Sequence, residues 1–161
     1  MKRIGILGVD ALTEQLVRGF FRARPDAQVF LYPGKSRIAQ MLAGEFPCWT
    51  LDSPGSVIDE ADVVIINAGP EALYELAKHL QLRSSQTLIS LVPAIRSQTL
   101  RQLFRHEDCV RLMLAFTDEI NKSAAILTAA DDDIQRLFSL QGPLCVLADE
   151  AEFDSVTTGF R

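Results

Sequence analysis

Gly8, Asp10 and Thr13 follow an apolar run, Arg3-Ile4-Gly5-Ile6-Leu7, and precede a helical pattern. Their spacing is that of the turn G-x-G-x-x-G/A, through which a first β-strand hands over to a helix that binds a pyrophosphate. The first glycine of that turn makes the tight bend, and the second lets the backbone approach the phosphates. The third packs helix against strand. Here only the first is kept, as Gly8; Asp10 and Thr13 hold the other two places. A carboxylate at the second place adds bulk and like charge, a repulsion on the order of a few kcal/mol in a partly shielded site. That is a hundredfold or more in affinity, at roughly 1.4 kcal/mol per tenfold. Two uses of the turn stay open. Amides at the start of the helix would hold a pyrophosphate, with Gly8, Val9, Asp10, Ala11 and Leu12 forming the site. Alternatively, Gly8 makes only a tight turn and Asp10 caps the helix.

A second anion-binding candidate lies at Leu31-Tyr32-Pro33-Gly34-Lys35-Ser36-Arg37. An acid after the second strand of such folds suits the ribose hydroxyls of NAD, and a basic residue suits the 2′-phosphate of NADP. No acid stands here, and Lys35, Ser36 and Arg37 would grip a phosphate. A bound dinucleotide is therefore expected to be NADP; an ordinary turn with a solvated helix start explains the same residues.

Other groups offer less. Asp131-Asp132-Asp133 complements a helix dipole without an ion. His106-Glu107-Asp108-Cys109 has no second ligand cluster at a zinc-site spacing, and His79 is isolated, so both histidines are expected at the surface and no metal is expected. Ser90 and Ser97 lack a nucleophile-elbow context. Asp118-Glu119 after a strand end would suit proton transfer, but a solvated polar turn explains them better. Trp49, between Cys48 and Leu51, is expected in the core. No catalytic residue is assigned.

These residues need a frame, and apolar periodicity supplies one. Strand patterns run over residues 3–8, 27–32, 48–50, 62–68, 87–92, 110–116, 123–128 and 143–148. Between them lie helical patterns. Ala11 to Ala23 carries Leu12, Leu16, Val17, Phe20 and Phe21 on one face, and Ser36 to Phe46 carries Ile38, Met41 and Leu42. Asp52-Ser53-Pro54 starts a helix over Gly55–Glu60. Gly69-Pro70 opens one with Leu73, Leu76, Ala77 and Leu80 as its stripe and His79 near its end. Ser97 to Phe104 follows, and Asp131 to Leu140 is the last. Val63-Val64-Ile65-Ile66, apolar on both faces, belongs in the centre of a parallel sheet. The alternation predicts an α/β fold, a doubly wound Rossmann-type sheet, mostly parallel, with additional C-terminal strands.

The chain has 161 residues, 48% hydrophobic and 23% charged, which fits one dinucleotide-binding-type domain over 1–161. A net charge of −5 disfavours nucleic acid as a partner. No apolar run approaches a membrane span, and Met1-Lys2-Arg3 leads into a strand rather than a signal peptide. Cys48, Cys109 and Cys145 are odd in number and widely spaced, as expected for free thiols in the cytoplasm.

Several strings, taken in order, resemble the N-terminal, nucleotide-binding domain of the pyrroline-5-carboxylate reductase family, over essentially the whole chain. Ile4-Gly5-Ile6-Leu7-Gly8 matches the family's opening strand and first glycine. Glu60-Ala61-Asp62-Val63-Val64-Ile65-Ile66, with Ala68, Gly69 and Pro70 after it, sits where the family has D-A-D-V-V-x-L-A-V-K-P. Leu88-Ile89-Ser90 corresponds to the strand before its A-G-V segment, and Cys109-Val110-Arg111-Leu112-Met113 to V-V-R-x-M. Asp149-Glu150 and Phe153-Asp154-Ser155-Val156-Thr157 resemble D-E…F-D-A-V-T, which enters a second, helical domain.

The resemblance implies NADPH- or NADH-dependent reduction of a cyclic imine to proline. It also implies Ala68, Gly69 and Pro70 as further cofactor-binding residues, and either a homodimer or a helical domain as partner. Departures matter equally. Gly69 replaces the lysine of V-K-P, Leu114-Ala115-Phe116-Thr117 replaces P-N-T-P, and Val92-Pro93-Ala94 replaces the A-A-G segment beside the nicotinamide. The family's C-terminal helical domain is absent from the sequence, which ends at Thr158-Gly159-Phe160-Arg161. If a trimmed piece, the chain should be apolar around Val156 and Phe160. The expectation is an NADP-binding-type domain without catalytic competence as this chain, a pseudoenzyme in effect. The alternative is a binding or interaction module that has lost its nucleotide.

Overall fold

The computed structural model describes residues 2–116 and 123–158. Eight strands form one sheet: β1 (Ile4–Leu7), β2 (Val29–Tyr32), β3 (Cys48–Thr50), β4 (Val63–Ile66), β5 (Thr87–Ser90), β6 (Cys109–Phe116), β7 (Ser123–Leu127) and β8 (Leu144–Val146). Their spatial order is β3-β2-β1-β4-β5-β6-β7-β8. All neighbours run parallel except β6 and β7, which pair antiparallel with Leu112 opposite Leu127. Helices α1 (Ala11–Ala23), α2 (Arg37–Glu45), α3 (Pro54–Glu60), α4 (Pro70–His79), α5 (Ser97–Phe104), α6 (Asp132–Ser139) and α7 (Glu150–Thr158) connect or follow them. This is the doubly wound α/β architecture expected from the sequence, and none of the described helices is long and apolar enough to cross a membrane.

Strand β4 explains the layering. Successive side chains of a strand point to opposite faces, and all four of its residues are buried. Val63 and Ile65 join Leu16, Val17, Phe20, Leu42 and Phe138 on the face covered by α1, α2 and α6. Val64 and Ile66 join Val57, Ile58, Leu73, Leu100 and Phe104 under α3, α4 and α5. The strand stops at Ile66, short of the expected Ala68, so Asn67 and Ala68 are released into the loop at its carboxyl end.

Three expectations are corrected. Trp49 is not in the core: β3 is an edge strand, and the indole is 48% exposed while stacking on Phe30 with ring centroids 4.9 Å apart. Met41 points to solvent, because α2 turns Ala39 and Leu42 inward instead. Helix α7 has no counterpart in the sequence reading, since only Phe153 and Thr157 of its described side chains are buried and no apolar stripe announces it.

Candidate active site at the strand-order switch

The strand order reverses between β1 and β4, and ligands of open α/β sheets bind outside the carboxyl ends of the strands at that point. Gly8 makes the turn there with φ +106°. A Cβ on Gly8 would lie 1.8 Å from the carbonyl oxygen of Asn67, so the crossing of the two loops admits only glycine. The Gly8 amide donates to the Tyr32 carbonyl at 2.8 Å, which ties the turn to the end of β2.

Asp10 is the N-cap of α1. Its Oδ1 accepts from the backbone amides of Leu12 at 2.9 Å and Thr13 at 3.1 Å. Thr13 completes a capping box: its Oγ1 accepts from the Asp10 amide at 2.9 Å and donates to the Gly8 carbonyl at 3.0 Å. Amides that a helix start would otherwise offer to an anion are therefore held by the protein's own carboxylate. Of the two uses the sequence left open, the cap is the one seen.

A cavity of about 790 Å³ opens beside this turn, lined by residues from β1, β2, the starts of α3 and α4, and the outer face of α4. Leu7, Tyr32, Pro54, Ala68, Leu76 and Leu80 give it an apolar wall. Ser53, Asn67, Glu75 and His79 supply the polar groups. Leu76 and Leu80, from the apolar stripe expected on α4, are half-buried: they pack against the core cluster and also face this opening. Glu75 is held below the usual carboxylate range by its hydrogen bond from Lys78 and that residue's charge.

The residues singled out from the sequence divide into groups. Gly8 and Ala68 line the cavity. Val9 is half-buried against the α1 side of the core, Asp10 and Ala11 are exposed, and Leu12 is half-buried. Gly69 is the N-cap of α4 and Pro70 its first residue. Lys35 is exposed, and Ser36 caps α2 by accepting from the Ala39 amide at 3.0 Å. Sequence reasoning missed Tyr32, Ser53, Asn67 and the α4 face; the signal for them was topological, since these segments meet only once β1 is flanked by β2 and β4.

A second cavity of about 220 Å³ lies at the carboxyl end of β5 and beside the middle of β6, lined by Ser90, Val92, Pro93, Arg111, Met113 and Phe153 among others. Arg111 is 3% exposed and pairs with Glu150 at 2.9 Å and Asp154 at 2.8 Å. Among the described residues no group of three or more His, Cys, Asp or Glu could hold a metal ion. His106 corrects the surface assignment: it is buried, with Nε2 2.5 Å from the Gln86 carbonyl, because the turn after α5 folds the ring inward. His79 is exposed, and Asp131 caps α6 by accepting from the Ile134 amide at 2.9 Å. Asp118, Glu119 and Phe160 lie outside the described residues.

No protein-family model matches the chain. A pyrroline-5-carboxylate reductase of Pseudomonas aeruginosa is 27% identical over 168 residues, spanning 96% of this chain and 61% of that protein. The fold superposes on 1-pyrroline-5-carboxylate reductase from Streptococcus pyogenes with a TM-score of 0.79 at 20% identity, covering 99% of this chain and 62% of the other. It superposes on a Plasmodium falciparum pyrroline carboxylate reductase with NADP bound at a TM-score of 0.74 and 15% identity, covering 99% and 62%. The chain thus spans about three-fifths of the length of these relatives. In sequence and in fold it resembles the N-terminal, nucleotide-binding part of pyrroline-5-carboxylate reductases.

Proposed function

We propose that this chain is a nucleotide-binding-type domain of the pyrroline-5-carboxylate reductase kind, that its nucleotide is NADP, and that it does not reduce an imine as this chain. The carrying observation is the cavity of about 790 Å³ at the strand-order switch, where fold logic puts one end of a dinucleotide. Its apolar wall and few polar groups suit a heterocycle and ribose. Lys35 and Ser36, close behind the end of β2, are the residues for a 2′-phosphate, with no acid nearby in sequence to favour NAD. Gly8, Val9, Ala11, Leu12, Ala68, Gly69 and Pro70 complete the proposed cofactor surface. In its reduced form, NADPH, the cofactor would supply a hydride when bound.

The fit is uneven. The adenosine side is open, whereas the helix start that should face the diphosphate is closed by Asp10. On the nicotinamide side, Arg111 is neutralised by two carboxylates and offers no free charge to a substrate acid. These features support absence of catalysis by the chain alone, and a homodimer or a helical domain is the partner that the resemblance suggests. The Asp10 cap also favours a second reading, a binding or interaction module that no longer takes a nucleotide.

Calorimetric titration with NADPH, NADP and NADH separates the two. A dissociation constant below about 100 µM for NADPH, roughly −5.5 kcal/mol, with weaker NADH binding, is expected on the first reading. No heat at millimolar nucleotide would establish the second. An assay with 1-pyrroline-5-carboxylate and NADPH should give no turnover.

A further inference from the structure

We propose that the cavity between β5, β6 and α7 binds a small uncharged carbonyl compound whose oxygen accepts from Arg111 and Ser90. The inference goes beyond the nucleotide reading, since no residue lines both this cavity and the one at the strand-order switch.

The donors are built into the sheet. Ser90 and Arg111 are register partners on β5 and β6, so their side chains leave the same face. Both line the cavity, and they are only 1% and 3% exposed. Arg111 spends Nη1 on Glu150 and Asp154, at 2.9 and 2.8 Å, whereas its Nε is buried with no hydrogen-bond partner. An unmet donor on a buried charged group is costly, and native folds rarely keep one without a water or a ligand to meet it. Ser90 Oγ accepts from the Val92 amide at 3.1 Å, which leaves its proton to donate. Thr157 adds no further donor, because its hydroxyl donates to the Phe153 carbonyl at 2.8 Å. A carbonyl oxygen has two lone pairs and can take both remaining protons.

Charge then fixes the class of ligand. The guanidinium groups of Arg111 and Arg96 meet the carboxylates of Glu150 and Asp154, so positive and negative charge balance in this set. A carboxylate or an ammonium entering beside it would be buried without a counter-charge, which is strongly unfavourable. An amide, lactam or ketone brings the acceptor without the charge. Val92, Pro93, Met113 and Phe153 make the rest of the wall apolar, which suits a small aliphatic body. At about 220 Å³ the space is far larger than one bridging water needs.

The test uses cyclopentanecarboxamide and cyclopentanecarboxylate, matched in size and different in charge, on the nucleotide-free chain. Met113 lines the cavity while Met41 is exposed on α2, so their methyl NMR signals report the site and a remote control. The amide should shift the Met113 signal saturably, with a dissociation constant of about 1 mM or tighter, and leave Met41 in place. The carboxylate should bind about tenfold more weakly or worse. Arg111→Lys keeps a cation for Glu150 and Asp154 but has no Nε–H, and should weaken the amide by about fivefold. Ser90→Ala should weaken it by about threefold, and decides the donor assignment alone if the lysine variant is unstable to urea. No saturable shift at Met113 up to about 20 mM amide would sink the proposal and leave Nε to water. Equal affinity for amide and carboxylate would overturn the ligand class, and an amide affinity indifferent to both substitutions would overturn the donors. Each of these failures leaves the nucleotide reading standing.

Discussion

Arg111 and Glu150, 39 residues apart in sequence, are joined at 2.9 Å across the junction of β6 and α7. The other Glu150 oxygen accepts from the Ser97 amide at 2.8 Å, at the start of α5, where the side chain of the N-cap Arg96 makes no capping bond to the helix. One carboxylate therefore ties β6, α5 and α7 together. The Arg111 guanidinium also lies 4.6 Å over the Phe153 ring. Charge and an aromatic face hold α7 in place where its apolar content could not.

Arg111→Met should destabilise the fold by about 2 kcal/mol. Removing one member of a buried pair is costly, but Glu150 and Asp154 keep partial solvent access that softens the loss. Urea denaturation measures it. A loss below about 0.5 kcal/mol would mean that Phe153 and Thr157 hold α7 unaided.

The same cluster sets a pH dependence. Burial pushes the Glu150 carboxyl up, but hydrogen bonds from Ser97 and Arg111 outweigh it and hold the group below its ordinary value. Asp154 behaves alike, with burial outweighed by Arg111 and Arg96. A carboxyl held low favours the fold above the unfolded-state range, about pH 4 to 4.5, and that stability is lost as pH falls through the lower folded values. Urea midpoints of the wild type and Arg111→Met should differ at pH 7 and converge below about pH 4. A gap unchanged down to pH 3 would contradict the assignment.

Gly8→Ala should cost about 2 kcal/mol or more, because the left-handed backbone and the Asn67 carbonyl both oppose a Cβ. A thermal midpoint lowered by about 5 °C or more checks it.

Asp10→Ala should lose about 1 kcal/mol of stability with the cap, even as it removes the charge that opposes a diphosphate. Asp10→Asn should keep most of that stability. Stability and nucleotide affinity thus move in opposite directions at one residue, readable from chemical denaturation beside titration.

The thiols should react in a set order. Burial pushes Cys109 up to about 12 and Cys48 up to about 11, while Cys145 is exposed. An aromatic disulfide reagent at pH 8 should label Cys145 rapidly and Cys109 only on unfolding. Fast labelling of Cys109 in the native protein would show that β6 opens locally.

The central fold was legible because its signals are local. Val63-Val64-Ile65-Ile66 reads as a strand buried on both faces, and Asp10 is a strong cap at any helix start. Trp49 misled because an edge strand and a central strand look alike in composition; only pairing distinguishes them. His106 turned inward for a carbonyl 20 residues away, a partner invisible to spacing. Helix α7 has a local start signal in Asp149, whose Oδ1 accepts from the Ala151 amide at 2.8 Å, but no apolar stripe; its docking is written in the tertiary partners Arg111 and Ser97. Leu76 and Leu80 pack against the core and also wall the cavity, and only the second role was hidden, since an amphipathic face lining an opening has the same pattern as one packed shut.

Strands β3 and β8 are each only three residues long, and they form the two margins of the sheet. A visiting strand arriving at either margin would find a rung or two of backbone to pair with before the ladder ran out. The fold thereby resists ribbon-like polymerisation through brevity alone, and Trp49 can sit on such a margin without inviting it.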